Sequence, residues 1–118
     1  MHLLSLFKKY EDVRPISSGD ALFLEGEVGD MMYVVLEGEV EILLRGRVVD
    51  SVGPGDIVGE MALIDSSARS ASAVAKTDCR VAAVNERRFL LMVDQTPSFA
   101  IHVMRVLANR LRRMDASV

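Results

Sequence analysis

Cysteine and histidine are scarce in this chain, and each scarcity excludes a class of protein. The single cysteine, Cys79, cannot form an internal disulfide, which is typical of a cytoplasmic protein, and its strand-like surroundings predict a small buried side chain. The two histidines, His2 and His102, lie near opposite ends of the sequence, and no His-x-His motif or glutamate cluster has metal-ligand spacing. We therefore expect no metal site. No nucleophilic serine motif or carboxylate pair indicates catalysis, so we expect no enzyme.

Long apolar runs are missing as well. No stretch reaches the roughly 18 residues needed to span a bilayer, and the N-terminus lacks the layout of a signal peptide. We therefore expect a cytoplasmic chain without a membrane partner. With 118 residues, half of them hydrophobic, the chain has room for one core, and we expect a single domain over residues 1–118.

Basic residues are few in the first two thirds of the chain. Residues 1–79 carry seven lysines and arginines against fourteen acids, whereas residues 80–118 carry seven against three, so the net charge of −3 combines −7 and +4. Nucleic-acid phosphates require clustered basic residues, so the acidic body argues against a nucleic-acid partner. Any bound anion must therefore be held by a local basic residue. The candidate is Arg69, the only basic residue between Arg47 and Lys76.

Glycine is absent after residue 59, and this divides the chain into two textures. All eight glycines lie between residues 19 and 59, where they separate short stretches rich in valine, isoleucine, leucine and tyrosine. This pattern predicts an all-β sandwich or barrel, with a turn at Gly53-Pro54-Gly55-Asp56. The predicted strands are Ala21–Glu25, Met31–Leu36, Val40–Leu44, Arg47–Val52, Ala71–Ala75 and Cys79–Val84.

Helical periodicity marks the two ends of the chain. Residues 2–10 predict a short amphipathic helix. Asn85 is a candidate N-cap for a second helix, and Thr96-Pro97 is a start signal for a third that runs to about residue 113. The third helix has a wide apolar surface, so we expect it to pack on its own domain and on a second subunit, with its arginines on the outer face. Those arginines are Arg105, Arg110, Arg112 and Arg113.

The stretch Gly59–Ser72 carries the chemistry. A glycine and a carboxylate, Gly59 and Glu60, open one predicted turn of helix, and a polar loop then leads to Arg69 with small neighbours. An ionised carboxylate only accepts hydrogen bonds and a guanidinium offers a rigid fork of donors, so the pair suits a ligand with a hydroxyl and an anion. Taken singly, the two charges could equally be solvated or pair with each other.

In these residues the chain resembles the cyclic nucleotide-binding domain family. Gly59-Glu60-Met61-Ala62-Leu63 followed by Arg69-Ser70-Ala71-Ser72 matches the family's phosphate-binding cassette, and Gly26, Gly29, Tyr33 and Gly38 are also placed as in that family. Ala68 departs from the pattern, because the family often has proline there. The resemblance covers roughly residues 13–113 and implies a β jelly roll (double-stranded β-helix) over about 13–84. A short N-terminal helix, a short cassette helix and two C-terminal helices over about 86–114 complete the implied fold.

The resemblance also implies a function. It implies a sensor that binds cAMP or cGMP and moves its C-terminal helices in response, with the phosphate on Arg69 and the ribose on Glu60. Ser70 favours cAMP, because members that prefer cGMP commonly have threonine at this position. The implied ligand residues are Gly59, Glu60, Met61, Ala62, Arg69, Ser70 and Ala71, with Arg112, Met114 and Asp115 as candidate caps over the base.

Further expectations concern individual cassette residues. Gly59 would let the ligand approach the backbone where a Cβ would intrude. Met61, Leu63 and Ile64 are expected to anchor the cassette in the core rather than to touch the ligand.

Two alternative functions stay open. One is an interaction or dimerisation module of the same fold that binds no ligand. The other is the sensor half of a transcription factor, although the residues after 113 leave no room for a helix-turn-helix, so we expect no nucleic-acid partner for this chain.

Overall fold

The computed structural model describes residues 3–65 and 67–116, and for residues 114–116 it describes the backbone alone. Eight strands and four helices follow one another within these described residues. The strands are β1 Val13–Ile16, β2 Ala21–Phe23, β3 Met31–Glu37, β4 Val40–Leu44, β5 Arg47–Val52, β6 Ile57–Val58, β7 Ser72–Ala75 and β8 Cys79–Asn85. The helices are α1 Leu3–Leu6, α2 Met61–Ile64, α3 Glu86–Gln95 and α4 Ser98–Ala116.

The strands form two antiparallel four-stranded sheets. One sheet has the order β1-β8-β3-β6 and the other the order β2-β7-β4-β5. Neighbours in sequence are therefore often in different sheets, so the chain crosses repeatedly between layers and closes a roll. The predicted β jelly roll with flanking helices is confirmed.

Strands β3 and β8 are buried on both faces. Along β8, Val81 and Ala83 point into the roll, whereas Ala82 and Val84 point outward against the helices, and β3 alternates in the same way. Successive strand residues face opposite sides, so a strand covered on both sides is apolar throughout. The domain consequently has two apolar clusters, one between the sheets and one between a sheet and the helices, which contains Phe7, Phe99 and Val103.

The helices pack against the outer face of the β3–β8 sheet. Asn85 caps α3 as predicted, because its side chain accepts a hydrogen bond from the Arg88 backbone N–H at 2.9 Å. Arg88 itself forms ion pairs with Glu11 and Asp12, 3.2 and 3.1 Å long, so the start of α3 is fastened to the segment that precedes β1. The first helix is shorter than the predicted span 2–10, of which residue 2 lies outside the described residues.

The predicted strands all exist, and their ends differ from the predicted ones by at most two residues. Two short strands were not among them, β1 and β6. The predicted turn at residues 53–56 is present: the Asp56 N–H donates to the Gly53 carbonyl at 3.0 Å, and the Asp56 carboxylate accepts from the Gly53 N–H at 3.0 Å. Cys79 is buried as predicted, with its Sγ donating to the carbonyls of Glu39 and Thr77.

Candidate functional site

A cavity of about 500 Å³ opens between the second sheet, the α2 segment and the end of α4. All seven ligand residues expected from the sequence line it, so the structure brings them together around one space. The lining residues are Phe23, Ile42, Val49, Asp50, residues 58–62, residues 67–71, Arg110 and Arg113.

The backbone of Arg69 is fixed by the turn that joins β2 to β3. Its N–H donates to the Glu27 carbonyl and its carbonyl accepts from the Gly26 N–H, both at 2.8 Å. These two bonds hold the end of the cassette loop independently of the residue before Arg69. They explain how Ala68 can replace a rigid proline while the position of Arg69 is kept.

The Arg69 side chain lies inside the protein and is only 8% exposed. Its Nη1 donates to the Gly59 carbonyl at 3.0 Å and its Nη2 to the Met31 carbonyl at 2.7 Å. The guanidinium also lies over the ring of Phe23, 4.1 Å from the centroid, which is a favourable cation–π distance. The side chain is therefore oriented by two backbone oxygens and one aromatic face.

Two glycines leave the space that this guanidinium fills. A Cβ at Gly29 would lie 2.5 Å from Nη2, and a Cβ at Gly59 would lie 2.6 Å from Nη1. Gly59 also has φ of +76°, a backbone conformation that other residues adopt only with strain. The missing Cβ at Gly59 therefore makes room for the guanidinium of Arg69. From the sequence we expected this space to serve the approach of the ligand.

Arg69 carries a charge that no acid neutralises within the described part of the chain. None of the ion pairs among the described residues includes it, and its Nε is buried without a hydrogen-bond partner there. Burying an unpaired charge is costly, because its hydration is lost without compensation. The site therefore holds a buried cation with an unused donor, which is the arrangement that an anion would complete.

Glu60 lies at the N-terminus of α2 and forms an ion pair with α4. Its Oε1 is 2.7 Å from Nη1 of Arg110, and the two side chains are only 13% and 22% exposed. Arg110 also donates to the Ile57 carbonyl. The alternative that Glu60 and Arg69 merely pair with each other is wrong in this structure, since each has its own partners.

Farther along α4, Arg113 forms an ion pair with Asp50 on β5, 3.1 Å long. The expectation that Arg110 lies on the outer face of the helix is therefore wrong, whereas the Arg113 side chain is 53% exposed although it also lines the cavity. Arg112, the expected cap, is exposed and donates to Asn109 rather than lining the cavity. The side chains of the other two candidates, Met114 and Asp115, lie outside the described residues.

A helical signal for Arg110 was present in the sequence. Phe99, Val103 and Val106 pack in the helical apolar cluster, and Arg110 follows at the next step of the same 4-3-4 spacing. Asp50 likewise lies two residues before the buried Val52, so strand alternation places both on the inward face of β5. Both charges interrupt an inward apolar pattern, and that interruption was the signal.

The short helix α2 anchors the cassette by one face only. Ala62 is buried and Leu63 packs against the helical cluster, whereas Met61 and Ile64 are exposed. The expectation that Met61 and Ile64 anchor the cassette is wrong, and Met61 instead lines the cavity. After α2, hydrogen bonding by the Ser67 side chain lowers the pKa of Asp65, and so does the bond that the Ser67 N–H donates to Asp65 at 3.0 Å.

Neither a metal centre nor a membrane span is found among the residues that the structure describes. Over residues 3–65 and 67–116, no group of three or more histidine, cysteine, aspartate or glutamate side chains could hold a metal ion. Within the same ranges, none of the helices combines the length and the apolar character that crossing a bilayer requires.

Comparison with known proteins identifies relatives of this site and fold. Residues 13–96 match the sequence profile of a family described as the cyclic nucleotide-binding domain. The Cyclic AMP receptor protein of Thermus thermophilus is 34% identical over 117 residues, which cover 95% of this chain and 54% of that protein. This chain therefore spans about half the length of such curated relatives.

Solved structures agree with the sequence comparison. A cyclic nucleotide-binding domain from Methylobacillus flagellatus aligns with a TM-score of 0.79 and 27% identity, covering 90% of this chain and 65% of that one. A second structure, described with a cyclic-GMP-dependent signalling pathway that regulates bacterial phytopathogenesis, aligns with a TM-score of 0.78 and 32% identity. It covers 93% of this chain and 91% of its own.

Proposed function

Because the chain belongs to the cyclic nucleotide-binding domain family, we propose that its cavity binds a 3′,5′-cyclic nucleotide, with the phosphate at Arg69 and the ribose at Glu60. The observation that carries this proposal is the buried guanidinium of Arg69, which lacks an anionic partner in the described chain and has an unused Nε donor. A cyclic phosphate supplies a single negative charge and acceptor oxygens at this point.

The phosphate end is prepared before any ligand arrives. The carbonyls of Gly59 and Met31 each accept one hydrogen bond from a terminal nitrogen of Arg69, which leaves the second N–H of each nitrogen, and Nε, for the phosphate, together with the hydroxyl of Ser70 and the backbone N–H of Ala71. Hydrogen bonds to a charged group contribute about 1.5–3 kcal/mol each. A prepositioned cation gains this energy without the entropic cost of ordering a long side chain.

The ribose end is shared with α4. Arg110 holds Oε1 of Glu60, so Oε2 is left to accept a hydrogen bond from the ribose 2′-hydroxyl. A nucleotide that binds Glu60 therefore meets the same carboxylate that fastens α4 to the roll. We infer that this shared carboxylate couples occupancy to the position of α4, and the ligand can shift that position only by its different affinities for the two arrangements.

The role is that of a regulatory domain rather than an enzyme. Ser70, Met61 and Ala62 line the cavity. Ser70 would favour cAMP over cGMP, and Met61 and Ala62 would contact the ligand from α2. The residues expected from the family pattern bind and position a ligand, and we assign none of them as an acid, a base or a nucleophile in a reaction. The cytoplasmic location expected from the sequence stays a prediction.

An exposed apolar stripe on α4 favours a homodimer. Ile101, Met104 and Leu111 recur at spacings of three and seven residues and are all exposed. A second copy of the same helix would cover this stripe in a symmetric contact. Sedimentation equilibrium should give a dimer for the wild type and a monomer for Met104→Lys, whereas a monomeric wild type would rule out this contact.

Isothermal titration calorimetry with cAMP and cGMP tests the binding proposal. The wild type should bind at least one of them below millimolar concentration, and Arg69→Ala should weaken that binding about 30- to 150-fold, which corresponds to about 2–3 kcal/mol. Arg80→Ala is the matched control, because Arg80 is an exposed arginine that pairs with Glu37 away from the cavity. It should bind as the wild type does.

The alternative function is an interaction module that binds no ligand, and the same titration distinguishes it from a nucleotide-binding domain. If neither nucleotide binds the wild type up to millimolar concentration, the cavity does not function as a nucleotide site. Thermal denaturation gives an independent check, since a bound ligand raises the melting temperature of the wild type and not that of Arg69→Ala.

A further inference from the structure

An acid occupies an inward-facing position of β5, where the strand pattern calls for an apolar side chain. Asp50 pairs with Ile42 across β4 and β5, lies two residues before the buried Val52, and lines the cavity. Its side chain is 28% exposed, and its carboxylate is held from two sides. Oδ1 accepts from the Ser51 N–H at 2.8 Å, and Oδ2 accepts from Arg113 at 3.1 Å.

The ion pairs of α4 place this group relative to the rest of the site. Arg110 binds Glu60 and Arg113 binds Asp50, and the two arginines are three residues apart, so they are separated by about 4.5 Å along the helix axis. Phosphate, ribose and base follow one another in a nucleotide. With phosphate at Arg69 and ribose at Glu60, the Asp50–Arg113 pair is a further acid–arginine pair lining the same cavity, and we expect the base to lie beside it.

We propose that Asp50 and Arg113 together read the edge of the purine and select adenine over guanine, an inference that rests on the proposed nucleotide function. The carboxylate accepts and the guanidinium donates, and each has capacity beyond the bond that joins them. An acceptor beside a donor is how asparagine and glutamine recognise adenine, which presents the N6 amino group beside the N7 acceptor. Guanine presents two acceptors on the same edge, O6 and N7, so its O6 faces the Asp50 carboxylate and is repelled.

The apolar neighbours fit the same assignment. Ile42 and Val49 line the cavity beside Asp50 and offer apolar surface for the faces of a purine ring. The faces of the ring are alike in both purines, so these two residues favour neither base. At this end of the cavity, discrimination falls to Asp50 and Arg113, in addition to the preference for cAMP that Ser70 gives.

Calorimetry on the full chain with four ligands tests the proposal. The ligands are cAMP, cGMP, the cyclic phosphate of purine riboside, which lacks the 6-amino group, and 7-deaza-cAMP. The wild type should bind cAMP about tenfold or more tightly than each of the other three. This readout requires no substitution, so it holds even if a variant folds poorly.

Asp50→Leu supplies the second readout. It should weaken cAMP binding about tenfold and leave cGMP binding unchanged or stronger, so that the preference disappears. Glu37→Leu is the matched control, because Glu37 belongs to an acid–arginine pair of similar length, 3.0 Å, that lies outside the cavity, and it should keep the wild-type preference.

Three results overturn the assignment while the proposed function stands. They are a wild type that prefers cGMP, equal binding of cAMP and the purine riboside analogue, and an Asp50→Leu variant in which both nucleotides weaken by the same factor. The last result would mean that Asp50 only ties α4 to the sheet. A wild type that binds no nucleotide overturns both this assignment and the proposed function.

Discussion

Replacing Arg110 by methionine tests whether α4 is held over the cavity by charge or by apolar packing alone. Methionine keeps the length and the apolar stem of the side chain but removes the ion pair to Glu60 and the hydrogen bond to the Ile57 carbonyl. The pair is short, 2.7 Å, and both side chains are less than a quarter exposed. Solvent therefore screens it much less than an ordinary surface pair.

The expected cost follows from these contacts. A charge-assisted hydrogen bond contributes about 1.5–3 kcal/mol, and removing Arg110 also leaves the Glu60 carboxylate and the Ile57 carbonyl without this partner. Fully buried pairs lose about 3–5 kcal/mol when one partner is removed, and this pair is only partly buried. We therefore expect Arg110→Met to lower the free energy of unfolding by about 2–3 kcal/mol, or the melting temperature by about 8–12 °C.

Urea denaturation of a double-mutant cycle is the assay. Arg110→Met, Glu60→Gln and the double variant should give a coupling energy of about 1.5–2.5 kcal/mol. The pair Glu37–Arg80 is the matched control, since its side chains are 62% and 52% exposed, and its coupling should not exceed about 0.5 kcal/mol. A coupling for Arg110 and Glu60 as small as that of the control would refute the reasoning, and α4 would then be held by packing alone.

Three further predictions concern single residues. Gly59→Ala should weaken cyclic-nucleotide binding in calorimetry by about tenfold or more, because its Cβ displaces the guanidinium of Arg69 and its φ is strained; unchanged affinity would contradict this. The pKa of Asp12 is lowered, chiefly by a hydrogen bond from Arg14, so its carboxylate stabilises the fold above its ordinary pKa and loses this effect as the pH falls. The stability gap between wild type and Asp12→Asn in urea denaturation should therefore close between about pH 5 and pH 2, and a constant gap would refute it. Asn85→Ala should lower the free energy of unfolding by about 1 kcal/mol through the lost N-cap, and a loss below about 0.3 kcal/mol would contradict the cap.

Much of the fold could be predicted because local signals agree with the final structure. Glycines separate the strands, Gly53 to Asp56 form the turn that their residue types favour, and Asn85 starts the helix that its side chain caps. The strands β1 and β6 could not be found in this way. β6 has two residues and β1 contains Pro15, so neither has enough periodicity to mark a strand, and both exist because β8 and β3 offer edges to pair with.

The residues of the candidate site could be predicted where they are neighbours in sequence and not where they meet through folding. The family pattern located Glu60 and Arg69, which lie nine positions apart and flank one short loop. It did not locate Arg110, whose partner Glu60 is fifty positions away in sequence. Successive residues of a helix are rotated by about 100°, so the face on which a residue lies depends on the exact orientation of the helix. A small error in the predicted orientation of α4 therefore directed Arg112 towards the cavity, where the structure has Arg110 and Arg113.

The roll cannot be separated from the helices that cover it, because β3 and β8 each have one face in the apolar cluster between the sheets and the other face in the apolar cluster against the helices. A fragment that ended at residue 85 would expose the outward row of these strands to water, including Met32, Val34 and Val84, and would invite aggregation. It would also lack both arginines that α4 contributes to the cavity. Anyone grafting this cavity into another protein therefore has to transplant α4 together with the strands.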